Sequence, residues 1–190
     1  GAGNTDIGVF EGTTFLYTNS IPLGGDNITN DIALVLNISE EEADKLKRQY
    51  GLALKSFIDN DNDIILNTCK DNNKNKIIKS SELIEIIEAR IEEMFSIINK
   101  DITNQGLKQK INNVVLTGQG IVNINKSDVA GKINLNIPVK ISTGRAISTV
   151  KPIYRTSYAL VRYIAARPFA KTVSSSIDTQ NNESFMKNIW

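Results

Sequence analysis

Apolar and polar positions alternate along Thr5–Phe10, with Ile7 and Val9 on one face, and a second β-rich run, Thr13–Thr18, follows the short turn pair Glu11-Gly12. Period two around a tight turn predicts a hairpin. After Ile21-Pro22-Leu23 and Gly24-Gly25 the period changes. Ile28, Ile32 and Val35 recur at helical spacing behind the possible caps Asp26 and Asn27. Ser39 with Glu42 three residues on is a capping box, and Ala43, Leu46 and Tyr50 form the stripe of the helix it opens. Polar turns at Asp59–Asp63 and Asp71–Asn75 flank strand candidates Ile64–Cys69 and Lys76–Lys79. A long helix is predicted from Ser80 to about Thr103, buried along Leu83, Ile87, Ile91, Met94, Ile98 and Ile102. Val114–Thr117 reads as a strand ending at Gly118-Gln119-Gly120. A helix toward Asn136, a strand at Val139–Ser142 and a helix over Tyr154–Ala166 stopped by Pro168 complete the reading.

Alternating strands and helices predict an α/β fold with a mixed or parallel sheet. At 190 residues and 41% hydrophobic content the chain can fill one lobe of two subdomains. Twenty-two basic against 21 acidic residues leave a charge of +1, too little for a field that gathers nucleic acid. The lone Cys69 excludes an intrachain disulfide and fits a reducing compartment. With no histidine, Ser-His-Asp and Cys-His catalysis and His-ligated zinc are all excluded. No paired carboxylates suggest a catalytic site and no ligand set suggests a metal centre. No stretch reaches the roughly 20 apolar residues of a membrane span, and no signal peptide is read at the start.

Three glycine turns carry the candidate chemistry: Gly1-Ala2-Gly3-Asn4-Thr5-Asp6, Gly24-Gly25-Asp26-Asn27 and Gly118-Gln119-Gly120. Glycine lets backbone amides approach a phosphate or a flat base, and a helix N-terminus adds a favourable dipole. Each turn taken alone is equally a plain connection between strand and helix. Two pairs of charged residues share helix faces at three-residue spacing, Asp44 with Lys47 and Arg90 with Glu93; each reads either as a binding pair or as a solvated ion pair.

In order, the glycine turns resemble those of the actin, sugar-kinase and heat-shock-chaperone ATPases, whose second phosphate loop reads Asp-Ile-Gly-x-Gly-x-Thr-Asp; Gly1–Asp6 match its end. Within that superfamily three blocks resemble the FtsA family of bacterial cell-division proteins: Ile21-Pro22-Leu23-Gly24-Gly25, Asn27–Ala33, and Glu42–Gly51. Val115-Leu116-Thr117-Gly118 with Gly120 resembles the family's adenosine loop, and the likeness extends to about Tyr163. The resemblance implies an actin-like ATPase lobe of ribonuclease H-like fold. Residues 1–36 and 105–167 would form the nucleotide-facing subdomain, 37–104 an inserted subdomain with a partner-binding helix, and 168–190 a flexible linker opening an amphipathic membrane-targeting helix. The expected Asp-Ile before Gly1 is missing, so Gly1 is expected not to be the natural start, and the first phosphate motif to belong to another lobe.

By the same resemblance, Gly3, Asn4 and Thr5 would hold the outer phosphates of ATP, bound with Mg2+ in the intact protein. Gly25 would pass behind them, Asp44 and Lys47 would meet ribose and adenine, and Gly118 would back the base. Gln119 departs from the family's second glycine; its side chain could hydrogen-bond the base, point away or narrow the pocket. Glu88, Arg90 and Glu93 would receive the C-terminal peptide of the tubulin-like FtsZ. The intact protein would form actin-like filaments, reach the inner face of the cell membrane through its C-terminal helix, and hydrolyse ATP weakly at best. This chain alone is expected to bind nucleotide very weakly and to catalyse nothing. A pilus-assembly type scaffold and a kinase-type ATPase of the same fold are the alternative readings.

Overall fold

The computed structural model describes residues 1–66, 76–142 and 154–166. The chain divides into two units, Gly1–Ser142 and Thr143–Trp190. In the first, β1 (Thr5–Glu11) and β2 (Thr14–Ile21) form the expected antiparallel hairpin, with a bulge between Val9 and Phe10. Ile7 and Val9 share the half-buried face. β2 runs three residues beyond the expected Thr18 because pairing continues to Thr5 opposite Ile21.

Helix α1 (Gly25–Leu36) follows the glycine pair, and α2 (Glu40–Tyr50) is capped by Ser39, whose hydroxyl accepts from the Glu42 amide at 3.3 Å. Ile28 and Ile32 are buried as expected, but Val35 is 63% exposed. At about 100° per residue, the buried arc runs from Ile28 through Ile32 and Leu36 to Thr29 and Ala33. Val35 falls just past its Ile28 edge, beside Asp31.

β3 (Asp63–Leu66) and β4 (Lys76–Lys79) form a second antiparallel ladder, while Cys69 lies outside the described residues. Helix α3 (Ser80–Asn104) buries the predicted stripe from Leu83 to Ile102, with Ile98 half-buried. Its N-terminus is held by Asp61, which accepts from the Ser81 amide and from the Ser80 and Ser81 hydroxyls at 2.8–3.0 Å. β5 (Val114–Leu116) and β6 (Val139–Ile141) pair in parallel. The single helix expected between them is two, α4 (Gln119–Val122) and α5 (Ser127–Leu135). Lys126 turns left-handed with φ of 62° while Asn125 bonds backward to α2's end: its amide donates to Gly51 and its carbonyl accepts from Ala53. The break therefore exchanges helical bonds for a bridge between segments.

One apolar cluster joins α1, α2, α3, α5 and the buried side of β3 and β4. The helices thus orient the three glycine turns through a shared core. In the second unit α6 (Arg155–Ala165) is an amphipathic helix with Arg162 stacked over Tyr158. Residues 168–190, read from the sequence as a linker opening a membrane-targeting helix, lie outside the described ones, and none of the described helices is long and apolar enough to cross a membrane.

Truncating Ile32 to alanine should cost about 2–5 kcal/mol, because it empties a fully buried site. Val35→Ala should stay within about 0.5 kcal/mol. Urea denaturation of the two variants checks the face assignment.

Candidate functional site

Three turns meet at one point. The amides of Gly25 and Asp26, at the N-terminus of α1, donate to the carbonyls of Gly1 and Ala2 at 3.0 and 2.9 Å. A Cβ on Gly24 would stand 2.2 Å from the Ala2 oxygen, and one on Gly120 would stand 2.5 Å from the Gly1 oxygen. Only hydrogen fits between these backbones. Gly118 turns the chain into α4 with φ of 95°, a conformation side chains disfavour.

Gly3 and Asn4 lie exposed beyond this junction, and nothing stands within 4 Å of where a Gly3 Cβ would be. The α1 N-terminus, where anions are favoured, is bonded to Ala2, the residue before Gly3. The Thr5 hydroxyl donates to the Leu23 carbonyl at 2.7 Å, which ties β1 to the turn before α1. Gln119 is exposed.

Asp44 and Lys47 form an ion pair of 2.9 Å, and Lys47 is the less exposed partner, at 12% against 33%. The Lys47 ammonium also donates to the Gly25 carbonyl at 3.0 Å and to the Thr29 hydroxyl at 2.5 Å. Its three protons therefore have three acceptors. Asp44 further accepts from Arg48 at 2.7 Å. Its carboxyl is held below the ordinary carboxylate range, chiefly by the Lys47 hydrogen bond; partial burial opposes this and the Arg48 bond reinforces it. The pair thus lies against the glycine junction and docks α2 on the first turn of α1.

The second candidate site is a groove of about 640 Å³ along α3, lined on the α1 side by Asp31, Leu34 and Val35 and on the α3 side by Ile86, Arg90 and Glu93. Arg90 grips Asp31 through two hydrogen bonds of 2.5 and 2.8 Å and also pairs with Glu93. The Asp31 bond, ahead of the opposing effect of burial, raises the guanidinium's pKa and keeps it charged. Glu88 is not with them; it accepts from the Lys55 amide at 2.8 Å, outside the groove. Sequence reading missed Thr29 and Asp31. The register Gly25–Thr29, one helical turn, could have suggested the first, whereas no local signal joins Asp31 to Arg90 across 59 residues. Among the described residues no cluster of three acids or cysteines suits a metal ion.

Residues 1–160 match the family model described as Cell division protein FtsA. Curated proteins of that name are 32% identical in Bacillus subtilis over 86% of this chain and 37% of the relative, and 32% in Buchnera aphidicola over 98% and 47%. The protein of that name in Escherichia coli K12 is 26% identical over 86% and 41%. The chain spans less than half the length of these relatives. MreB5 of Spiroplasma citri, solved bound to ADP, superposes with a TM-score of 0.64 at 15% identity, covering 87% of this chain and 54% of the other. The shared fold is that of an actin-like ATPase lobe.

Gly120→Ala should lower stability by about 1–3 kcal/mol through backbone overlap, while Gly3→Ala should be nearly neutral; thermal melts separate them. The Asp44 tie has a definite pH sign. Because its carboxyl is depressed in the folded chain, its stabilisation is present above the unfolded carboxylate value, about pH 4, and is lost as pH falls through the folded value. Asp44→Asn should be less stable at neutral pH and lack that acid-side loss, as measured by urea denaturation across pH.

Proposed function

The chain belongs to the FtsA family of cell division proteins, and from that premise we propose that it forms one wall of an ATP site in an actin-like division protein. The observation that carries this reading is the convergence of the three glycine turns on Gly1, with Gly120 and Gly24 packed against its loop. Backbone amides are the natural instrument for phosphate, since they supply donors without a bulky or mobile side chain. Gly3, Asn4 and Thr5 receive the outer phosphates, Gly118 and Gln119 flank the adenine, and Asp44 with Lys47 backs the mouth. Magnesium accompanies the phosphates and is held mainly from the facing lobe. ATP is gripped from both sides of such a cleft, and closure excludes water from the reacting phosphate. One wall alone therefore binds weakly and catalyses nothing.

In the whole protein, nucleotide binding supports filament formation, and the Arg90–Glu93 groove receives the C-terminal peptide of FtsZ. Apolar residues there bury the peptide's anchors while the charged ones set its register. A C-terminal amphipathic segment holds the assembly at the cytoplasmic face of the membrane. One observation favours the scaffold alternative, in which nucleotide is dispensable: the Lys47 ammonium and the Thr5 hydroxyl already donate within the protein.

Titration calorimetry decides between them. Full-length protein should bind MgATP with micromolar affinity or better, and Gly120→Val should weaken binding at least tenfold. The 190-residue chain alone should bind more weakly than micromolar and release no phosphate above blank. Full-length protein that gives no binding heat supports the scaffold.

A further inference from the structure

We propose that Thr29 is a positioning residue for nucleotide binding: its hydroxyl orients the Gly25–Asp26 peptide that holds the phosphate-side turn. The inference rests on the ATP reading above. A peptide unit is planar, so fixing its oxygen also aims its N–H. The oxygen of this unit, on Gly25, accepts from the Thr29 hydroxyl at 3.2 Å and from the Lys47 ammonium at 3.0 Å. Its N–H, on Asp26, donates to the Ala2 carbonyl at 2.9 Å. Ala2 immediately precedes Gly3, Asn4 and Thr5, so the plane sets where their amides stand.

Such a unit needs restraint. Gly25 has no side chain to hold it, and Gly120 is so close behind that a Cβ there would meet the Gly120 Cα at 3.2 Å. Thr29 supplies the restraint from one helical turn away, and it is itself buried, with 8% exposure. A threonine hydroxyl bonded to the carbonyl four residues back ordinarily does little for a helix. Here its oxygen also accepts from Lys47 at 2.5 Å, so the bond belongs to a network with a cation at its centre and Asp44 as counter-charge. Hydrogen bonds with a charged member are the stronger kind.

The test compares Thr29→Val, which keeps the shape and removes the hydroxyl, with Thr29→Ser, which keeps the hydroxyl, both in the full-length protein. Amide hydrogen exchange without nucleotide should speed up at Asp26 in Thr29→Val while α5 amides stay unchanged, and Thr29→Ser should restore the wild-type rate. MgATP affinity should fall on the order of tenfold in Thr29→Val and return to within about twofold in Thr29→Ser. Unchanged Asp26 exchange in Thr29→Val overturns the clamp whatever the nucleotide result. Faster exchange with unchanged affinity overturns its link to binding. A serine variant as impaired as the valine one reduces Thr29 to a packing role and also overturns the proposal. Wild-type protein that binds no MgATP overturns the ATP reading and the binding role with it, and the exchange comparison still decides the clamp.

Discussion

The carbonyls of Gly1 and Ala2 lie against the first turn of α1 with no side chain between them, and the two amides of Gly25 and Asp26 close the contact. This constraint orders the rest of the mouth. Backbones can approach so closely only where Cβ atoms are absent, and Gly24 and Gly120 meet that condition from different segments. Two of the N-terminal amides of α1, which a helix otherwise leaves without partners, are consumed in holding the turn. Phosphate recognition therefore falls to the next amides along, those of Gly3 to Thr5, in the reading proposed above. The α1 dipole still favours an anion there.

The same helix serves both candidate sites. Gly25 and Asp26 stand at the mouth, and Asp31, Leu34 and Val35 border the groove less than three turns further on. At 1.5 Å per residue the helix carries the chain from one to the other in roughly 9 Å between Gly25 and Asp31. Arg90 is bound to Asp31 by a bidentate pair, so α3 is fastened to α1 where the groove opens. The hairpin is fastened to α3 separately: the Tyr17 hydroxyl and the Asn19 amide both donate to Asp101, at 3.0–3.1 Å. Partial burial and the adjacent carboxylate both raise the Tyr17 pKa, which keeps it a proton donor. These ties and the common apolar cluster make the first unit a shared support for mouth and groove.

The chain belongs to a cell-division family and has an actin-like fold. Fold by itself leaves activity open. Lys47, Asp44, Thr5 and Arg90, the candidate contacts named from the sequence, are engaged with neighbouring protein groups. In the reading proposed above, the exposed Gly3–Asn4 segment and the apolar rim of the groove are the surfaces that meet ligand and partner.

Local pattern determined a large part of this protein. The hairpin, the Ser39 cap, the α3 stripe and the parallel β5–β6 segments follow from period, turn residues and capping, all of which act over a few positions. Motif order likewise indicated the glycine turns and the family. Tertiary structure decided the remainder: which arc of α1 is buried, that Asn125 bridges to Gly51 and splits the expected helix, and that Glu88 leaves the groove while Asp31 enters it. It also decided that Lys47 turns toward Gly25 and Thr29. The physical reason is range. Periodicity and capping record bonds between near neighbours, whereas an ion pair across 59 residues or a glycine kept bare for a distant carbonyl exists only once the core has brought those segments together.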